Sequence, residues 1–284
     1  MANLLCSINS RAIVKWIEGT LVMKPTLNTL MLAPVLALAA AFAQAQTPEP
    51  APSAELATTT GNVTLASQYI SRGYQQTWGK PALQGGLDYA HPSGFSIGTW
   101  GSTISSKMIE GGSLELDLYG GYAGSMSDIG YTAMVYYYIY PGAKISSVNV
   151  KYDYGELSLG VNYKIFSAKY NHTFTKDYFG FSDARGTGYL DLNTNFDVGS
   201  GFGLQFHFGM GRVRNWPDYD WRDYKIALTR TFSNGWMAMA AVTKGNAPSG
   251  VYDNYPATTP NSSGVTEISQ PLKTNAVISV TKSF

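Results

Sequence analysis

The sequence predicts an all-β fold, a transmembrane antiparallel up-and-down β-barrel of twelve strands that follows a cleaved signal peptide. Three observations predict it. From Val63 onward, stretches of alternating apolar and polar residues recur to the end of the sequence, and a two-residue period belongs to a strand with two unlike faces. The stretches run to about 10 residues, the length of a tilted strand crossing a bilayer, against about 5–6 for an ordinary strand. The links between them alternate short and long, as in barrels with tight turns on one side of an outer membrane and long loops on the other.

The leader comes first. "MKPTLNTLMLAPVLALAAAFAQAQ", from Met23, carries a positive charge at Lys24, an apolar run from Leu30 to Phe42 and the small-x-small triplet Ala43-Gln44-Ala45. That is the layout of a secretory signal peptide cut after Ala45. The apolar run is shorter than the about 20 residues a spanning helix needs. Met1–Val22 reads as an extension ahead of the true start, so residues 1–45 are assigned to the leader. The single cysteine, Cys6, leaves with it, and the mature chain has no thiol for a disulfide or a cysteine metal site. Loss of Arg11, Lys15, Lys24 and Glu18 turns a formal net charge of +1 into −1. With no basic cluster, nothing points to nucleic acid as a partner. Residues 46–61, "QTPEPAPSAELATTTG", show no period and read as a flexible periplasmic tether.

The barrel is assigned to residues 62–284. Candidate strands centre near Gln68, Gly86, Gly98, Leu118, Val135, Leu159, Tyr170, Asn193, Phe206, Ile226, Ala240 and Ile278. "LELDLYGGY" sets Leu114, Leu116 and Leu118 against Glu115, Asp117 and Tyr119. "FGLQFHFGMG" sets Phe202, Leu204, Phe206, Phe208 and Met210 against Gln205 and His207. Tight turns are expected at His91–Gly94, Ser125–Asp128, Gly199–Gly201 and Ser233–Gly235, where Gly, Pro, Asn and Asp supply turn geometry. Longer loops are expected near Ser105–Gly112, Tyr140–Tyr154, Thr175–Thr187, Arg214–Trp221 and Gly245–Gln270. Tyr136–Tyr140, Trp78, Trp100, Trp216, Trp221 and Trp236 lie near predicted strand ends, where interfacial girdles belong.

Alternation also suits a soluble sandwich. In lipid, however, every backbone group must pair within the protein, and only a closed sheet does that with strands. An even strand count brings both termini to one side. The final run, "NAVISVTKSF", then closes the barrel against the first strand, with Phe284 as the outer-membrane insertion signal read by the barrel-assembly machinery. Lys282 interrupts its apolar face, and a lysine near the interface can reach polar surroundings.

The stretch Val63–Trp100 contains Ser67-Gln68-Tyr69, Arg72-Gly73, Gln76, Pro81-Ala82-Leu83-Gln84-Gly85-Gly86, Tyr89-Ala90-His91, Ser93-Gly94-Phe95 and Gly98-Thr99-Trp100. In these pieces it resembles the TorF family of porins, predicted outer-membrane barrels. The block covers three strands. The resemblance implies a channel in the outer membrane of a Gram-negative bacterium and carries no substrate with it.

The inferred inward faces give fourteen pore-lining candidates: Gln68, Arg72, Asp88, Glu115, Asp117, Tyr119, Glu156, Asn162, Asp191, Asn193, Gln205, His207, Asp223 and Lys225. Acids outnumber bases, and a wall of one sign selects the opposite ion. The expected function is passive diffusion of small hydrophilic solutes or ions, with a slight cation preference. A lumen of this size can also be filled, since about 8 strands give a packed interior and about 16 an open one. The alternatives are therefore a barrel enzyme hydrolysing lipid or peptide, and a plugged barrel that binds or adheres through its loops. His91, His172 and His207 are accompanied by no nucleophile elbow or zinc motif, so no catalytic residue, metal or cofactor is assigned. Expected partners are outer-membrane lipid, the assembly machinery and the solute. The chain would act as a monomer or a trimer.

Overall fold

The computed structural model describes residues 56–284. The leader and residues 46–55 of the expected tether lie outside them. Twelve strands form the wall: β1 Thr58–Ala66, β2 Ala82–Ala90, β3 Phe95–Thr103, β4 Leu114–Met126, β5 Ile129–Ile139 and β6 Tyr154–Tyr163. The second half comprises β7 Phe166–Thr173, β8 Gly188–Gly199, β9 Phe202–Arg212, β10 Trp221–Thr231, β11 Trp236–Asn246 and β12 Asn275–Ser283. Each pairs antiparallel with its neighbours in sequence, and β12 pairs with β1, closing the sheet. Closure leaves no edge, which is what permits a sheet to sit in lipid.

Burial alternates clearly along β5, β10, β11 and β12. Leu65, Leu87, Ile97, Leu118, Val135, Leu159, Ile226, Val242 and Ile278 point outward and are exposed. This continuous apolar band is the lipid-facing surface of a transmembrane barrel. The inner positions hold polar residues and glycines together with buried aromatic, Met and Ala side chains.

The seam is finished by the last residue. The Gly61 N–H donates to the Phe284 carbonyl at 2.8 Å, and the Phe284 N–H returns a bond to the Gly61 carbonyl at 3.0 Å. A Cβ at position 61 would lie 2.6 Å from the Phe284 ring, so this glycine is where the terminal ring closes on β1. Deleting Phe284 is expected to lower the fraction of heat-modifiable, folded barrel on unheated SDS gels. An unchanged fraction would show that the seam forms without it. Lys282 follows Ile278 and Val280 on the outer face of β12, as expected, and its ammonium bonds the Asn234 and Ser283 carbonyls at the neighbouring turn.

Four predicted turns are found, and there is a fifth between β6 and β7 at Lys164–Ile165. Its Lys164 has φ 54°, a conformation usually given to Gly or Asn. The first predicted strand is corrected. β1 ends at Ala66, so Gln68 is not a strand centre, and Thr58–Gly61 of the expected tether belong to β1. The chain from Ser67 to Pro81 is a sixth long loop, bearing a two-residue hairpin of Ile70–Ser71 with Tyr74–Gln75. The girdle assignment also needs correction. Trp100, Trp221, Tyr136 and Tyr140 are buried, whereas Tyr137, Trp216 and Trp236 are exposed.

Candidate functional site

The inner positions differ between the two ends of the barrel. Towards the tight turns many are small or uncharged, among them Gly121, Ala123, Gly130, Gly160, Asn162, Ser167, Asn193, Gly203 and Gln205. These residues are only partly buried, apart from Gly130, and leave a water-accessible vestibule. Towards the long loops the inner side chains are large and buried, among them Trp100, Glu115, Asp117, Tyr154, Glu156, Tyr189 and Trp221. Chain from all six loops packs into one aromatic core that includes Tyr69, Tyr74, Met108, Tyr140, Tyr178, Val213, Tyr252 and Leu272.

The loop at 67–81 enters the lumen. Ile70 is buried against the inner faces of Ala227, Met239, Ala241 and Val277. Those small and flexible side chains leave the β10–β12 wall hollow enough to receive it. Gln68 Nε2 donates to the Ala276 carbonyl at 2.8 Å, and Gln75 Nε2 donates to Gln68 Oε1 at 2.6 Å and to Asn275 Oδ1 at 3.1 Å. Backbone bonds tie Ser67 to Ile278 and Gln75 to Pro271. The hairpin tip takes positive φ at Arg72 (47°) and Gly73 (86°). At Gly73 an added Cβ would lie 2.6 Å from the Asp223 Cβ, so only glycine fits between tip and wall.

Arg72, at the tip, crosses to β6. Its two terminal nitrogens bond both Glu156 oxygens, at 2.9 and 2.6 Å. Fork-on-fork pairing is the strong form of this contact. The guanidinium carbon lies 4.5 Å from the Tyr189 ring centroid, and Trp221 Nε1 donates to the Arg72 carbonyl at 2.9 Å. The loop is therefore fastened at both sides of the lumen.

A second network lies on β7–β10. His207 Nε2 is 2.9 Å from Asp223 Oδ1, and its Nδ1 is 3.1 Å from Asp191 Oδ1 and 3.0 Å from Asn193 Oδ1. Lys169 Nζ stands 3.6 Å from Asp191 Oδ2. Tyr189 OH donates to Asp223 Oδ2 at 3.0 Å. Lys225 faces His207 in the β9–β10 register. With a carboxylate on each ring nitrogen, His207 has no free nitrogen to take a proton from a nucleophile. Among the described residues no Ser, Thr or Cys bonds it, and no group of three His, Cys, Asp or Glu is arranged to hold a metal.

All fourteen sequence candidates lie on the inner side. Gln68 and Arg72 sit in the inserted loop, and Asp88 and Tyr119 join by a 2.6 Å hydrogen bond. Glu115, Asp117 and Glu156 are buried on β4 and β6, and Asp191, Asp223 and Lys225 on β8 and β10. Asn162, Asn193, Gln205 and His207 are half-buried nearer the vestibule. The pore-lining candidates left out the aromatic partners of these groups, Tyr69, Tyr138, Tyr154 and Tyr189, all of them in the lumen. Sequence reasoning also missed the insertion of the loop. The Ser71-Arg72-Gly73 and Trp78-Gly79-Lys80-Pro81 turn signals were its only local marks.

Residues 50–284 match the family Gcw_chp, described as bacterial protein of unknown function. The chain belongs to this family. A search of curated proteins gave no match. Two solved barrels resemble this Gcw_chp member in fold. One is the KdgM porin in complex with disordered oligogalacturonate, at TM-score 0.50 and 10% identity, covering 79% of this chain and 99% of that one. The other is the NanC porin, at TM-score 0.50 and 9% identity, covering 79% and 98%. At such identities the likeness concerns architecture. This chain shares with them the closed barrel over nearly their whole length.

Proposed function

We propose that this protein is an outer-membrane channel through which small hydrophilic solutes or ions diffuse passively, narrowed by the loop at 67–81. The observation that carries the reading is the combination of an apolar outer band, a vestibule of small inner residues and one fastened loop at the narrow level. A barrel that served only as an anchor would have no need of a water-accessible interior on one side. The porin likeness of the fold and the TorF resemblance of Val63–Trp100 support the same reading. The inner wall of β2–β6 bears Asp88, Glu115, Asp117 and Glu156 and no base. Opposite, Lys169, His207 and Lys225 stand among Asp191 and Asp223. Charge rings select by sign, so the passage favours cations slightly. The chain would reach the membrane through the leader and the assembly machinery through β12.

The test is single-channel recording of the refolded mature chain in a planar bilayer under a salt gradient. Discrete conductance steps with a cation-shifted reversal potential are expected. An anion-shifted potential would sink the charge assignment and leave the channel. Folded barrels without steps would favour a sealed barrel with a surface-binding role, the reading that the aromatic core shared by all six loops supports.

A further inference from the structure

Two buried carboxylates in the lumen are not accounted for by the networks above. Glu115 is 2% exposed and Asp117 4%. Glu115 Oε1 accepts from Tyr69 OH at 3.3 Å and the Tyr140 hydroxyl also lies against this carboxylate, but Glu115 Oε2 and Asp117 Oδ1 make no hydrogen bond of ordinary geometry. Neither residue takes part in an ion pair among the described residues. Arg72, the nearest base, is bonded through both terminal nitrogens to Glu156. A buried acceptor left without a partner costs about 1–3 kcal/mol, and more when charged. Evolution of a water-filled passage offers no general reason to keep two such groups side by side.

Their surroundings are aromatic. In the sheet register Asp117 stands between Trp100 on β3 and Tyr138 on β5. Tyr69, from the inserted loop, meets Trp100 edge to face at 5.5 Å. Trp100 Nε1 is a buried donor that also lacks a partner. A bare alkali or alkaline-earth ion would want about six oxygens around it, and this corner offers two free ones. A polarisable cation that accepts π-faces in place of oxygens suits it better.

We propose that Trp100, Glu115 and Asp117, with Tyr69 and Tyr138 around them, form a binding site for a small organic ammonium ion. The carboxylates neutralise its charge, the rings cover its methyl or methylene groups, and the Trp100 N–H receives an oxygen of the same molecule. The site rests on the channel reading only for how the ligand arrives. Binding and conduction can fail separately.

The experiment is isothermal titration of the refolded, detergent-solubilised full barrel with choline chloride. Sodium chloride and 3,3-dimethylbutanol, the uncharged shape of choline, serve as controls. Saturable choline binding is expected, at least tenfold weaker in Asp117→Asn and in Glu115→Gln, with neither control saturating. Trp100→Leu, which leaves both carboxylates in place, is expected to weaken choline at least tenfold as well, and it keeps the test decisive where a carboxylate variant does not fold. No saturation with the wild-type barrel, or equal binding by the folded variants, overturns the site. Equal affinity for the neutral analogue does so too, since it makes the corner an apolar cavity. Bilayer recording on the same preparation separates the two readings. A conducting barrel that ignores choline keeps the channel and loses the site, and a silent barrel that binds it keeps the site.

Discussion

Arg72→Ala is expected to raise single-channel conductance several-fold and to cost about 3–5 kcal/mol of stability, the scale of removing one partner from a buried pair. Both effects come from one contact. The side chain ends the inserted hairpin and bridges to Glu156, which is 0% exposed. Without the guanidinium, the loop loses its hold on β6 and a buried carboxylate loses its compensation. Adding Glu156→Gln removes the uncompensated charge. The double variant should therefore recover much of the stability while conductance stays high. Arg72→Lys keeps the charge but cannot bond both oxygens in a plane, and should fall between wild type and alanine. Conductance is read in a planar bilayer and stability by urea titration in lipid vesicles. A stable Arg72→Ala barrel of unchanged conductance would mean that the loop at 67–81 does not set the narrow level.

The second large effect concerns the outer face. Leu159→Arg, in the middle of β6, is expected to lose about 2–4 kcal/mol when folding is titrated in lipid vesicles, as a charge placed at the bilayer midplane does. The comparison is Val148→Arg in the β5–β6 loop, expected to change little. Leu159 is 54% exposed and Val148 62%. Solvent exposure alone therefore predicts the same tolerance at both positions, and only a lipid surround separates them. Equal, small losses at the two sites would place Leu159 in water and refute the membrane assignment.

Much of this architecture was legible in sequence because its signals are local. Inside-outside alternation fixed which of Glu115 and Leu116, or His207 and Phe208, faces the lumen, since a strand has only two faces. The tight turns at His91–Gly94 and Ser233–Gly235 carry residues that permit reversal, whereas Tyr163-Lys164-Ile165-Phe166 carries none and escaped notice. Alternation cannot say whether an aromatic at a strand end faces lipid or fills the interior beneath a loop. Trp100 and Trp221 show the difference, since both are at inner positions and are covered from above. The inserted loop was the least legible feature. Tyr69, Ile70 and Tyr74 look like a strand's apolar positions, and what directs them inward lies far along the chain. Arg72 meets Glu156 at a separation of 84 residues, and Gln68 meets Ala276 at 208.

That last separation has a consequence for the order of events during biogenesis. The segment following β1 is synthesised early, yet Ser67, Gln68 and Gln75 are held by Pro271, Asn275, Ala276 and Ile278. Its seat does not exist until the final strand has been laid down. These bonds of the loop can form only once β12 is in place, so the narrowing is secured by the same strand that closes the wall.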